Sequence, residues 1–195
     1  MPCLFGGVMK PKELLDILRV AEALKCNTRH GWTSSGRQES VAEHSWRISL
    51  MAMLIAPEFP DADMNKVIRM CLIHDMGEAF TGDIPTFEKT QADTDREDAA
   101  FDAWVQTLPW ETRDAFCALL AEMNALETQE AKIYKALDKM EAVIQHNEAD
   151  IATWLPLEYD LQLRYGAENV IFSPWMQELK REIDCWTKQK IEQNK

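Results

Sequence analysis

His74-Asp-Met-Gly-Glu-Ala-Phe-Thr-Gly-Asp-Ile-Pro85 brings one imidazole and the carboxylates of Asp75, Glu78 and Asp83 into a single short stretch. The residues leading into it carry Val67, Cys71, His74 and Glu78 at spacings of three and four, the stripe of a helix over about Asn65–Ala79. Ionisable groups on a burial-prone face are costly unless paired or bound to a metal, so this stripe points to a site rather than to packing. Imidazole nitrogen and carboxylate oxygen together suit Mn, Co, Ni, Zn or Fe as divalent ions. The residues that follow, Thr81–Thr86, combine turn formers with charge and read as a loop.

Upstream, Ser40-Val-Ala-Glu43 matches a capping box and opens a helix that runs to about Ile55, where Pro57 and Pro60 end it. His44 falls on its stripe His44, Ile48, Met51, Ile55, as either a hydrogen-bonded core histidine or a ligand. Before it come a helix over about Lys12–Cys26, with Leu14, Leu15, Leu18 and Ala21 on one stripe, and a polar loop, Asn27–Glu39. Downstream, helices are expected at about Asp95–Gln106, Glu111–Glu127, Glu130–Glu148 and Pro174–Ile191, with a weaker helical segment between Ile151 and Phe172. No strand is expected, so the fold class is all-α. Asp138 borders the stripe Ile133, Leu137, Met140, Ile144, and on spacing alone reads as a solvated acid beside Lys139.

Composition narrows the function. With 195 residues, 46% hydrophobic and 28% charged, the chain suits one globular domain over 1–195, and a core of that size needs no metal merely to stay folded. The net charge of −12 argues against a polynucleotide or an anionic membrane as partner, and opposes any anionic substrate. Cys3, Cys26, Cys71, Cys117 and Cys185 are odd in number and scattered, which reads as reduced thiols. Neither a signal sequence in Met1–Lys10 nor a membrane span is expected, so the location expected is cytoplasmic.

The order His44, His74-Asp75, Asp138 resembles the HD-domain metal-dependent phosphohydrolases, and more closely their 5′-deoxynucleotidase group. The matching segments are Arg29 with Gly31-Trp32, Glu39-Ser-Val-Ala-Glu-His-Ser45, the His74–Pro85 stretch, and Leu137-Asp138, together spanning about 29–141. This resemblance implies a helical bundle holding one divalent ion at its centre, its ligands His44, His74, Asp75 and Asp138, with the C-terminal segment 151–195 packed on it. Mg joins Mn, Co, Ni, Zn and Fe among the possible ions. Relatives with two irons carry additional histidines between the dipeptide and the last aspartate; none occurs between Asp75 and Asp138, so a single ion is expected.

The resemblance further implies that Glu78 orients or deprotonates the nucleophile and that Asp83 lies near the leaving ester oxygen or a sugar hydroxyl. Arg29 matches a phosphate-contacting arginine, a role that suits a forked guanidinium. Lys89 matches a basic position, and Trp32 is a candidate to stack a base. His30 replaces an aromatic residue that helps place sugar or base in the group, which leaves base preference open. His146, near the end of its helix, is given no catalytic role. The expected activity is removal of phosphate from a (deoxy)nucleoside 5′-monophosphate; a nucleoside triphosphate or alarmone hydrolase, and a non-catalytic helical binding protein, are the alternatives. Trp154, Tyr159, Tyr165, Phe172, Trp175 and Trp186 are compatible with a homodimer interface or with core packing.

Overall fold

The structure, a computed structural model, describes residues 9–194. Cys3 and most of Met1–Lys10 lie outside that range. Nine α-helices and one two-stranded hairpin make up the described residues: α1 (Pro11–Cys26), β1 (Thr28–Trp32), β2 (Gln38–Ser40), α2 (Val41–Leu54), α3 (Met64–Ile73), α4 (Glu78–Thr81), α5 (Gln91–Val105), α6 (Trp110–Ala125), α7 (Gln129–Glu148), α8 (Glu158–Arg164) and α9 (Pro174–Glu192). No helix among them is long and apolar enough to cross a membrane.

Helices α2, α3 and α7 pack on one another at the centre, and α6 and α9 close over α7. Their shared core includes Ile48, Val67, Met70, Ile133, Leu137 and Met140, all fully buried. A smaller cluster, Leu24, Val41, Met76, Phe101 and Val105, joins α1 and α5 to the end of α3. The C-terminal aromatics divide. Trp154 is buried, Tyr165, Phe172 and Trp175 pack against the main core, and Tyr159 and Trp186 are exposed. The expected face of α1 is not buried as a unit, since Leu14, Leu15 and Leu18 are exposed while Val20, Ala21 and Leu24 pack inward.

Local chemistry explains the element boundaries. Ser40 caps α2 as expected, its Oγ accepting from the Glu43 N–H while Glu43 reaches back to the Ser40 N–H. The same reciprocal box between Thr90 and Asp93 starts α5 four residues before the expected Asp95. The helix expected to run unbroken to Ala79 stops at Ile73. From His74 to Gly77 the backbone tightens into i→i−3 bonds, Met76 N–H to Ile73 O and Glu78 N–H to Asp75 O, and α4 begins anew at Glu78. Gly77 sits at this break because a Cβ there would lie 2.8 Å from Glu97 Cγ.

The hairpin is the element the periodicity missed, because strands of five and three residues are too short to show alternation. Thr28 pairs with Ser40 and Trp32 with Gln38, with an irregular register between them. Arg29, His30 and Gly31 therefore stand opposite Glu39 alone. Such a bulge bends its strand and re-aims its side chains, here placing both Arg29 and His30 on the wall of a cavity.

Candidate active site

His44 enters from the first turns of α2, His74 and Asp75 from the end of α3, and Asp138 from the middle of α7. Four of their side-chain atoms converge. His74 Nε2 lies 2.9 Å from Asp75 Oδ2 and 3.8 Å from Asp138 Oδ1; His44 Nε2 lies 3.4 Å from Asp138 Oδ1 and 3.9 Å from Asp75 Oδ2. Metal–ligand bonds of about 2.1 Å give ligand–ligand edges of about 3.0 Å in octahedral and 3.4 Å in tetrahedral coordination. The observed spacings bracket those values, and the donor set fits a divalent ion.

Both imidazoles are oriented for the purpose from behind. His74 Nδ1 lies 2.9 Å from the Cys71 carbonyl, which can only accept, so Nδ1 carries the proton and Nε2 presents a lone pair. His44 Nδ1 donates to Glu141 Oε2, and Glu141 is fully buried one turn after Asp138. The two Nε2 atoms are buried and make no hydrogen bond. Buried polar atoms without partners are rare, and a pair of them aimed at two carboxylates is the arrangement a metal ion satisfies.

The charges around the centre are strongly perturbed. Burial disfavours the Asp75 carboxylate, yet His74, Arg29 and His44 outweigh it and hold the group well below the usual carboxylate range. Asp138 is likewise lowered against its burial, by Lys135, Lys139 and the two histidines. Glu78 goes the other way. Burial, Asp75 and Asp83 push it up to about 10, and its Oε2 has no partner. A carboxyl that resists ionisation in a cavity with other perturbed groups marks a candidate functional residue.

Asp75, Glu78 and Asp138 line a cavity of about 210 Å³. Arg29 is held there by Asp75 Oδ2 at 3.1 Å and Glu39 Oε2 at 3.5 Å. Asp83 follows Gly82, whose φ of +76° suits only glycine well, and accepts from the His30 backbone N–H at 3.2 Å. Lys89 reaches the wall while paired with Glu97 at 2.6 Å. Trp32 does not join them. It is absent from the cavity lining, and its carbonyl accepts from Gln145 Nε2.

Sequence reasoning missed several groups. Lys135 and Lys139 line the cavity and reach Asp138 Oδ2 at 3.0 and 3.4 Å, so Asp138 is not the solvated acid its spacing suggests. Glu141 and Glu39 stand behind His44 and Arg29, and His146 and Glu158 occupy the same cavity wall. A signal existed for Glu141, because an acid three residues after Asp138 on a buried stripe is as costly as Asp138 itself.

Comparison with known proteins identifies the family. A family model described as HD domain matches residues 21–180. A human protein named 5′-deoxynucleotidase HDDC2 is 34% identical over 145 residues, covering 70% of this chain and 68% of its own. The 5′-deoxynucleotidase hdd1 of Schizosaccharomyces pombe is 27% identical over 144 residues, 70% of this chain and 72% of its own. A crystal structure from Magnetospirillum magnetotacticum, described as a predicted metal-dependent phosphohydrolase, superposes with a TM-score of 0.76 at 27% identity and covers 92% of this chain and 93% of that one. With the four donor atoms in place and the family model spanning most of its length, the chain belongs to the HD domain family.

Proposed function

We propose that this chain hydrolyses the phosphomonoester of deoxynucleoside 5′-monophosphates, releasing nucleoside and orthophosphate. The observation that carries the reading is the convergence of two unpartnered imidazole Nε2 atoms with Asp75 and Asp138 at the wall of a cavity that also holds four cationic side chains. His44, His74, Asp75 and Asp138 would hold one divalent ion. Bound there, such an ion lowers the pKa of water and polarises a phosphoryl oxygen.

The chain's own residues supply the rest. Arg29 presents a guanidinium whose charge is secured by Asp75, Glu141 and Glu39 against its burial, and it takes the phosphate oxygens. Lys89, Lys135 and Lys139 add positive charge to the wall, which answers the net charge of −12 locally. Glu78, whose carboxyl a cation held beside it would return to the ionised form, takes the proton of the attacking water. Asp83, which accepts the His30 N–H, lies on the same wall and relays that proton to the sugar oxygen as the P–O bond breaks. Trp32 contributes its carbonyl to the wall's support through Gln145, and its ring is assigned no contact with substrate. A cytoplasmic location fits this substrate class.

The test is a panel of nucleoside 5′-mono- and triphosphates and guanosine tetraphosphate, assayed with Mn, Co, Ni, Zn, Fe and Mg. Orthophosphate from the deoxynucleoside monophosphates, with triphosphates intact, supports the assignment. Tripolyphosphate from triphosphates, pyrophosphate from the alarmone, or no turnover with any metal overturns it.

A further inference from the structure

The cavity wall carries a second group of ligand-type side chains apart from the four-donor centre. His30 on the β1 bulge, His146 near the end of α7 and Glu158 at the start of α8 each place one donor atom within 4.8 Å of the others. Glu158 is 1% exposed. Its Oε2 is anchored by the Leu155 N–H at 2.7 Å, while its Oε1 faces both rings, 2.9 Å from His146 Nε2 and 3.3 Å from His30 Nε2. Among the described residues, no lysine or arginine forms an ion pair with this buried carboxylate.

The tautomer of His146 is fixed by the same device as that of His74. His146 Nδ1 lies 2.9 Å from the Ala142 carbonyl, so Nδ1 carries the proton and, in the neutral ring, Nε2 aims a lone pair at Glu158 Oε1. Neutral His146 Nε2 and Glu158 Oε1, 2.9 Å apart, are two acceptors that a shared proton or a metal ion reconciles. At His74 and Asp75 the same spacing recurs, with Nδ1 on a backbone carbonyl, in the centre proposed above to hold the first ion. A proton on His146 would satisfy one contact; a metal ion would satisfy both imidazoles and the carboxylate together.

We propose that His30, His146 and Glu158 form a second divalent-metal site on the cavity wall. Two imidazoles and one carboxylate suit a borderline ion such as Zn²⁺ or Co²⁺, and three protein ligands leave a position for water or a substrate donor. The single ion expected from the lack of histidines between Asp75 and Asp138 concerns the first centre. His30 and His146 lie outside that interval.

The test uses the full chain, stripped with chelator and reloaded. Zn²⁺ per chain is measured by elemental analysis after desalting, and Co²⁺ binding by visible absorption. Two ions are expected for the parent chain and one for Glu158→Gln and His146→Ala, with His30→Asn weakening the second ion at least about tenfold, as loss of one ligand requires. Should the buried variants fail to fold, nitrogen NMR of the parent imidazoles decides: the second equivalent of Zn²⁺ must shift His146 Nε2. One ion per chain at saturation, two ions unaffected by the substitutions, or an unmoved His146 Nε2 overturns the site. These readouts do not depend on phosphate release, so the proposed reaction and the second site stand or fall separately.

Discussion

Glu141→Gln removes one charge from behind the metal centre and leaves every proposed ligand in place. Glu141 is fully buried, its Oε2 takes the Nδ1–H of His44, and its Oε1 lies 3.6 Å from Arg47 Nε. The carboxylate fixes the ring so that Nε2 faces the centre, and its charge strengthens Nε2 as a donor. A glutamine oxygen still accepts the bond but without the charge, and its amide N–H₂ can turn to the ring and favour the wrong tautomer. Exchanging a charge-assisted bond for a neutral one costs on the order of 1–2 kcal/mol. At about 1.4 kcal/mol per tenfold, that is roughly a 5–30-fold loss of metal affinity, within the range of about 10–100-fold for such outer partners. Metal-free stability should move less, because neutralising a buried acid also removes its desolvation cost. Competition with a fluorescent chelator for Zn²⁺ or Mn²⁺ measures the affinity, and circular dichroism checks the fold. Affinity within about twofold of the parent would refute the role given to Glu141.

Three further outcomes are expected. Arg29→Lys keeps the charge but loses the fork that spans Asp75 and Glu39, so kcat/KM for a monophosphate should fall roughly 10–100-fold, and an unchanged value removes Arg29 from phosphate binding. Gly166→Ala should destabilise by about 1–3 kcal/mol in chemical denaturation, since Gly166 has a φ of +74° and a Cβ there would lie 2.7 Å from Lys139 Cβ; a neutral result contradicts the close approach. In the metal-free chain, burial and Arg29 oppose the charged His44 ring, yet Glu141 and Asp138 raise it to about 9 from 6.5. Its contribution is then fully present below pH 6.5 and lost as pH rises through about 9, so metal-free stability should fall across that window while stabilisation by added metal grows. Melting temperatures that do not separate with pH would count against this linkage.

The helical frame was legible because its signals are local. Ser40 and Glu43 cap α2 as their spacing requires, and the stripe through His44 and Ile48 is buried. The two alternatives for His44, core or ligand, are not distinguished by one sequence position, since both demand burial; the bare Nε2 is what favours the ligand reading. The rest depended on contacts between distant segments. Glu97 crowding Gly77 accompanies the break in α3, and no periodicity within α3 contains that contact. The bulge that turns both Arg29 and His30 to the cavity arises from pairing across the hairpin. His30, His146 and Glu158 come from three elements and share no motif spacing, so nothing in the chain's order brings them together.

The central claim is that the four-donor centre binds a metal and performs the hydrolysis. Asp75→Ala, with metal content and orthophosphate release from a deoxynucleoside 5′-monophosphate measured on the same preparation, tests it most directly. The account predicts that metal retained at this centre and turnover fall together, turnover by at least about 100-fold. Unchanged metal content with unchanged turnover would contradict it.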